Sequence, residues 1–203
     1  MKIICIGRNY TDHIKELENE KPADPVIFMK PDTALLKSND NFYIPDFSKD
    51  VHYETEVLVK INKVGKHIDA KYAHKYYDEV GLGIDFTARD LQNKLKEKGL
   101  PWEKAKAFDN SAVVGSWVCK EEIPNINELD FSLLLNGKVA QKANTSLMLW
   151  KIDELISYIS AYFTLKTGDI LFTGTPAGVG KVKAGDCLEG FMNNAKMFDV
   201  KVK

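Results

Sequence analysis

Short runs of apolar and β-branched residues recur along the chain, each bounded by Gly, Pro, Asn or Asp. Ile3–Ile6, Val26–Met29, Glu56–Ile61, Phe131–Leu135 and Asp169–Phe172 are such runs, and each predicts a strand. Asn136-Gly137 directly after Phe131–Leu135 predicts a tight hairpin turn, whose central positions favour these two residues. Three segments switch to helical spacing: about Asp12 to Glu20, Ala88 to Lys98, and Ile152 to Phe163. The second ends at Gly99 with Pro101 beyond it, a stop signal, and the third puts Ile152, Leu155, Ile156, Ile159 and Phe163 on one stripe. Helices set among several strands, without regular βαβ alternation, predict an α+β fold rich in β-structure. Residues 17–25 and 36–50 are polar with scattered prolines and are expected to be loops. There is no internal repeat or long linker, so residues 1–203 are expected to form one domain.

Composition narrows the partners. The 203 residues are 44% hydrophobic and 28% charged, with a net charge of −1, which speaks against a nucleic-acid or anionic-membrane partner. No apolar stretch reaches the length of a membrane span, and the opening run is too short for a signal peptide. Cys5, Cys119 and Cys187 are far apart and odd in number, which fits free thiols in a reducing cytoplasm. Lysine dominates the 28 basic residues, and only Arg8 and Arg89 are arginine. An arginine kept in such a background marks a place where a planar, two-pronged donor is of use.

Candidate chemistry begins at His52-Tyr53-Glu54-Thr55-Glu56, which opens a strand. Side chains two apart on a strand share a face, so Glu54 and Glu56 are expected side by side. Next to the apolar run that follows, two such carboxylates would repel each other unless a cation or protons neutralise them. Carboxylates and waters suit Mg²⁺ or Mn²⁺, with Ca²⁺ as a possible substitute. Asp85, between the apolar Val80–Ile84 and the helix near Ala88, is the best third ligand. The competing reading is two surface acids and a helix cap. His52 shares the face of the glutamates, where a structural role is the simpler expectation.

Seven segments, the two that carry these acids among them, occur in an order that resembles the fumarylacetoacetate hydrolase superfamily, in particular its small acylpyruvate hydrolase and oxaloacetate decarboxylase members. They are Ile6-Gly7-Arg8-Asn9-Tyr10 with Asp12-His13 and Glu16; Phe28-Met29-Lys30-Pro31; Tyr53-Glu54-Thr55-Glu56; Asp85-Phe86-Thr87-Ala88-Arg89-Asp90-Leu91-Gln92; Lys98-Gly99-Leu100-Pro101-Trp102; Ala105-Lys106-Ala107-Phe108-Asp109; and Thr173-Gly174-Thr175-Pro176-Ala177-Gly178-Val179-Gly180. The resemblance implies a β-rich roll of mixed strands, a homodimer, and a metal held by Glu54, Glu56 and Asp85 with Lys106 beside it. It implies a catalytic dyad of His13 and Glu16 on a lid helix near residues 11–20, and a substrate pocket to which Arg8, Tyr10, Lys30, Arg89, Gln92 and Thr175 belong. His13 and Glu16 stand three apart and so share a helix face, as an ordinary surface ion pair also would.

The implied activity is chemistry on a small 2-oxo acid: acylpyruvate hydrolysis or oxaloacetate decarboxylation, with isomerisation or tautomerisation of a related enol as the alternative. A reading of another class is a metal-dependent binding protein for small acids without catalysis. Nucleotide binding is not expected, because a phosphate-binding loop would need Gly at Thr175 and Ser or Thr at Val182.

Overall fold

The computed structural model describes residues 1–16, 20–37 and 40–203. Its first half runs β1 (Ile3–Gly7), α1 (Thr11–Glu16), β2 (Val26–Lys30), β3 (Val51–Tyr53), β4 (Thr55–Ile61), α2 (Ala70–Ala73), β5 (Tyr77–Asp85), β6 (Thr87–Ala88) and α3 (Arg89–Glu97). Its second half runs α4 (Glu103–Lys106), β7 (Ala112–Cys119), β8 (Asp130–Leu135), β9 (Lys138–Asn144), α5 (Ile152–Tyr162), β10 (Ile170–Phe172), β11 (Gly180–Lys181), β12 (Cys187–Met192) and β13 (Ala195–Lys201). Of the helix expected near 11–20, Thr11–Glu16 is helical, and residues 17–19 lie outside the described residues. The loops expected at 17–25 and 36–50 also fall partly outside them.

The strands form three sheets, with orders β2-β1-β10-β4-β5-β7, β11-β3-β6 and β13-β12-β8-β9. β1 and β10 are parallel, and every other pair is antiparallel, which is the mixed, strand-rich α+β arrangement the sequence predicts. The large sheet is buried on both faces: along β1, Ile4 and Ile6 join one apolar cluster while Ile3 and Cys5 join another. β4 divides in the same way, Val57 and Val59 against Leu58. A strand covered on both sides reads as one continuous apolar run, which is why β4 was so plain in the sequence. The first cluster also takes Leu133, Leu188 and Val200 from the four-stranded sheet, and Leu155, Ile156 and Ile159 from α5. Leu135 pairs with Lys138 across Asn136 (φ 52°) and Gly137 (φ 76°), the expected hairpin turn.

Two features of this architecture position the site. The run expected to be one strand from His52 onward is in fact two, because the chain leaves the small sheet after Tyr53 and enters the large sheet at Thr55. Glu54 therefore sits at the break between sheets. Second, the antiparallel register of β4 and β5 pairs Thr55 with Ile84 and lets Asp85 N donate to Glu54 O at 2.8 Å. That register brings the third acid to the first two.

Candidate metal centre

Glu54, Glu56 and Asp85 are buried, and one carboxylate oxygen from each lies within 4.8 Å of the others. Three buried acids so close together are tolerable only if positive charge or protons neutralise them. Lys106 Nζ lies 2.8 Å from Glu54 Oε2, 2.7 Å from Asp85 Oδ2 and 2.6 Å from Thr87 Oγ1. Arg89 bonds Glu54 Oε1 through Nη2 and the Gln92 side-chain oxygen through Nη1 at 2.6 Å. Lys30 Nζ pairs with Asp85 Oδ1 at 2.7 Å, at an angle that makes no hydrogen bond, so that oxygen keeps unused acceptor capacity. The same ammonium donates to Lys106 O and to Ser111 Oγ (2.9 Å), which anchors the short helix α4 behind the acids.

The three carboxylates are not equivalent. Burial alone would raise the Glu54 pKa, but Lys106 and Arg89 outweigh it and hold the group well below the carboxylate range. Glu56 is pushed well upward by burial and by the neighbouring Asp85 and Glu54 charges. Among the described residues no ion pair reaches Glu56, and its Oε2 instead accepts from Gly174 N at 2.6 Å. Gly174 has φ +101°, and a Cβ there would meet the Asn9 Cβ at 2.7 Å, so only glycine brings that N–H up to the acid. An all-oxygen donor set, a buried oxygen with spare capacity and an uncompensated acid together fit a hard divalent cation.

The acids border a cavity together with Arg8, His13, Arg89, Gln92, Lys106 and Thr175. These come from five separate stretches of chain. His13, on α1, points Nδ1 at Glu16 Oε2 (3.1 Å), and Glu16 Oε1 accepts from Gly178 N (3.0 Å). Burial lowers the His13 pKa, a shift only partly offset by Glu54 and Glu16. Asn9, fully buried, donates to Thr173 O (2.8 Å) and so ties the β1–α1 turn to the Thr173–Gly180 segment. Arg8 sits in that turn with φ 61°, an uncommon conformation for a side-chain-bearing residue.

Two residues expected in the pocket stand close to its acids without lining the cavity. Tyr10 is buried with its ring edge against Phe131, and Lys30 stands behind Asp85; neither borders the cavity. A motif locates a segment, whereas the pleat and the turn decide which way each side chain faces. Conversely, Phe28, Lys96 and Trp102 do border it. Burial lowers the Lys96 pKa, with Arg8 and Arg89 adding to the effect, so a second group of cations stands near the site. Lys96 follows Gln92 by one helical turn, which is the signal that could have found it. His52 pairs with Asp50 Oδ1 (3.1 Å) and not with the triad.

The chain is 39% identical over 201 residues to the mitochondrial oxaloacetate tautomerase of Bos taurus, covering 99% of this chain and 91% of that one. It is 40% identical over 189 residues to the mitochondrial oxaloacetate decarboxylase of Dictyostelium discoideum, covering 93% and 87% respectively. Among solved structures, a fumarylpyruvate hydrolase from Pseudomonas aeruginosa in complex with Mn²⁺ and pyruvate superposes with a TM-score of 0.94 at 32% identity, over 100% of this chain and 89% of that one. The family described as fumarylacetoacetate (FAA) hydrolase C-terminal matches residues 2–197. Fold, length and sequence agree over nearly the whole chain, which belongs to the fumarylacetoacetate hydrolase family, a family of enzymes acting on small acids.

Proposed function

We propose that the protein is a divalent-cation-dependent enzyme that interconverts small 2-oxo acids with their enols, with tautomerisation of oxaloacetate as its leading reaction. The observation that carries this reading is a charge balance. Counting all three acids ionised, the buried carboxylates of Glu54, Glu56 and Asp85 face the buried cations Lys30, Arg89 and Lys106. A divalent cation held by the acids would leave two positive charges in excess. Oxaloacetate offers two negative charges through its carboxylates and its enolate offers three, while Arg8 and Lys96, which border the same cavity, add positive charge beyond those two. The site is therefore matched to the enolate better than to the ketone, which is differential stabilisation of the kind that accelerates reactions.

Bound there by Glu54, Glu56 and Asp85, Mg²⁺ or Mn²⁺ would supply Lewis-acid polarisation of the carboxylate and 2-oxo oxygens. The chain's own groups account for the rest. Glu16, accepting from His13 Nδ1, leaves Nε2 as the proton acceptor, and the depressed pKa keeps that nitrogen free near neutrality. His13 would take a proton from C3 of the ketone and, as the imidazolium, return it to the enolate oxygen, which leaves the ring neutral again; the reverse order carries enol to ketone. Lys106 and Arg89, held by Glu54, Asp85 and Gln92, set positive charge beside the oxygens on which charge develops, and Phe28 and Trp102 wall one side of the cavity.

Decarboxylation and acylpyruvate hydrolysis break the C3–C4 bond and leave the enolate of pyruvate, whereas tautomerisation breaks a C3–H bond and leaves the enolate of the intact acid; all three develop charge on the 2-oxo oxygen. The names of the relatives support all three reactions, and oxaloacetate tautomerase recurs among them, from Bos taurus to Escherichia coli. The test follows the ultraviolet absorbance of enol-oxaloacetate and pyruvate release in the same reaction, with and without chelator. Chelator-sensitive loss of enol that outpaces pyruvate formation is expected. No acceleration with oxaloacetate, acetylpyruvate or fumarylpyruvate, in Mg²⁺ or Mn²⁺, would overturn the reading.

A further inference from the structure

We infer that Gln141 is a positioning residue that turns the hydroxyl hydrogen of Thr175 into the cavity, where it is donated to a carboxylate or 2-oxo oxygen of the bound acid. The inference rests on the reading of this cavity as a site for small 2-oxo acids, and it names a residue outside the cavity wall that prepares it. Gln141 lies on β9 in the four-stranded sheet and is 1% exposed. It touches two segments that are far from it in sequence.

The orientation of its amide follows from neighbours that each have a single role. Thr55 N, which can only donate, lies 2.9 Å from Gln141 Oε1. Pro176 O, which can only accept, lies 3.0 Å from Nε2. Exchanging the two ends would set donor against donor and acceptor against acceptor, so the assignment is secure. Nε2 also reaches Thr175 Oγ1 at 2.9 Å, and there it can only donate. The hydroxyl is thus the acceptor in that bond, and its single hydrogen must point elsewhere. No hydrogen bond among the described residues uses that hydrogen. Thr175 is 3% exposed and borders the cavity with His13, Glu54 and Glu56, so the cavity is the direction left for it.

A second consequence comes from the other end of the amide. Thr55 stands between Glu54 and Glu56, so Gln141 ties the segment bearing those acids to the loop bearing Thr175. A purely structural tie would act without the hydroxyl, and this separates the two roles experimentally.

The test is pyruvate binding to the Mn²⁺-loaded protein, measured by calorimetry in a double-mutant cycle. Gln141→Glu keeps the size of the side chain and the acceptor facing Thr55 N. Its carboxylate can only accept, so the Thr175 hydrogen turns toward it and away from the cavity. Binding should weaken roughly 10- to 100-fold, the worth of one hydrogen bond to a charged ligand. The loss should persist in a Thr175→Ser background and shrink to under about twofold in Thr175→Val. An undiminished loss in Thr175→Val, or unchanged affinity in Gln141→Glu alone, would overturn the inference. Should Gln141→Glu not fold, Gln141→Met frees the hydroxyl to rotate; its smaller loss must likewise vanish in Thr175→Val, and persistence there would count against the inference equally. Failure of the underlying reading looks different: the unsubstituted protein would then bind no pyruvate, and both proposals would go.

Discussion

Gly174 donates its backbone N–H to Glu56 Oε2 at 2.6 Å, and this neutral donor is what Glu56 has where its two neighbours have cations. In the metal-free protein Glu56 is therefore a buried acid with a raised pKa, caused by burial first and by Asp85 and Glu54 next. Such a group destabilises the fold once pH climbs past its unfolded value, near 4.3, and the penalty grows up to the folded value. Glu56→Gln should raise the melting temperature in EDTA at neutral pH, and the gain should fade below about pH 4. The same variant should lose Mn²⁺ binding in a calorimetric titration. Unchanged Mn²⁺ affinity would exclude Glu56 as a ligand.

Arg89 uses both terminal nitrogens of its guanidinium, on Glu54 and on Gln92. A lysine has one ammonium and cannot hold both. Arg89→Lys should lower kcat/KM roughly 10- to 100-fold, the worth of one charge-assisted hydrogen bond. Kinetics equal to those of the parent would mean that a point charge suffices there.

Burial depresses the His13 pKa more than Glu54 and Glu16 raise it. A base held neutral in this way should keep kcat/KM level to a pH below the ordinary histidine value of about 6.5, with an acid limb beneath it. Glu16→Gln removes one of the offsets, so the limb should move to still lower pH while kcat falls. The sign for stability runs the same way: the folded state binds the proton less readily, so this contribution is present above the unfolded value and is lost as pH falls through the folded one. A limb that rises in Glu16→Gln would contradict the assigned roles.

His13 also separates the reactions that place charge on the same 2-oxo oxygen. Hydrolysis of an acylpyruvate needs an activated water, where general-base help is worth roughly 10²- to 10⁴-fold, whereas loss of CO₂ from oxaloacetate needs none. His13→Ala should therefore cut hydrolysis and tautomerisation much more than decarboxylation, while Asp85→Asn cripples all three. Parallel losses across substrates, with metal saturation checked, would restrict the dyad to binding or closure.

Lys30 is predicted to matter for folding before catalysis. Lys30→Met removes the cation beside Asp85 and the donor to Lys106 O, both fully enclosed. Breaking a buried pair from one side typically costs about 3–5 kcal/mol, which urea unfolding would detect. A loss under about 1 kcal/mol would show that Asp85 finds its compensation elsewhere.

Much was legible because local pattern carries it. β4 and α5 lie where apolar spacing puts them, the Asn136-Gly137 turn closes as its residue preferences require, and α3 ends before Gly99, whose φ is +61°. Glu54 and Glu56 announced themselves because two acids so close to an apolar run need an explanation. What remained hidden were relationships between distant segments. Nothing near Gln141 reveals that Thr55, 86 positions earlier, will present it with a single N–H. Nothing near Lys30 reveals that Asp85 will lie 2.7 Å away, nor that Tyr10 in a promising motif will turn into the core. Each of these depends on strand register and on the face a side chain takes. A shift of one residue reverses that face, so only the assembled sheets could decide it.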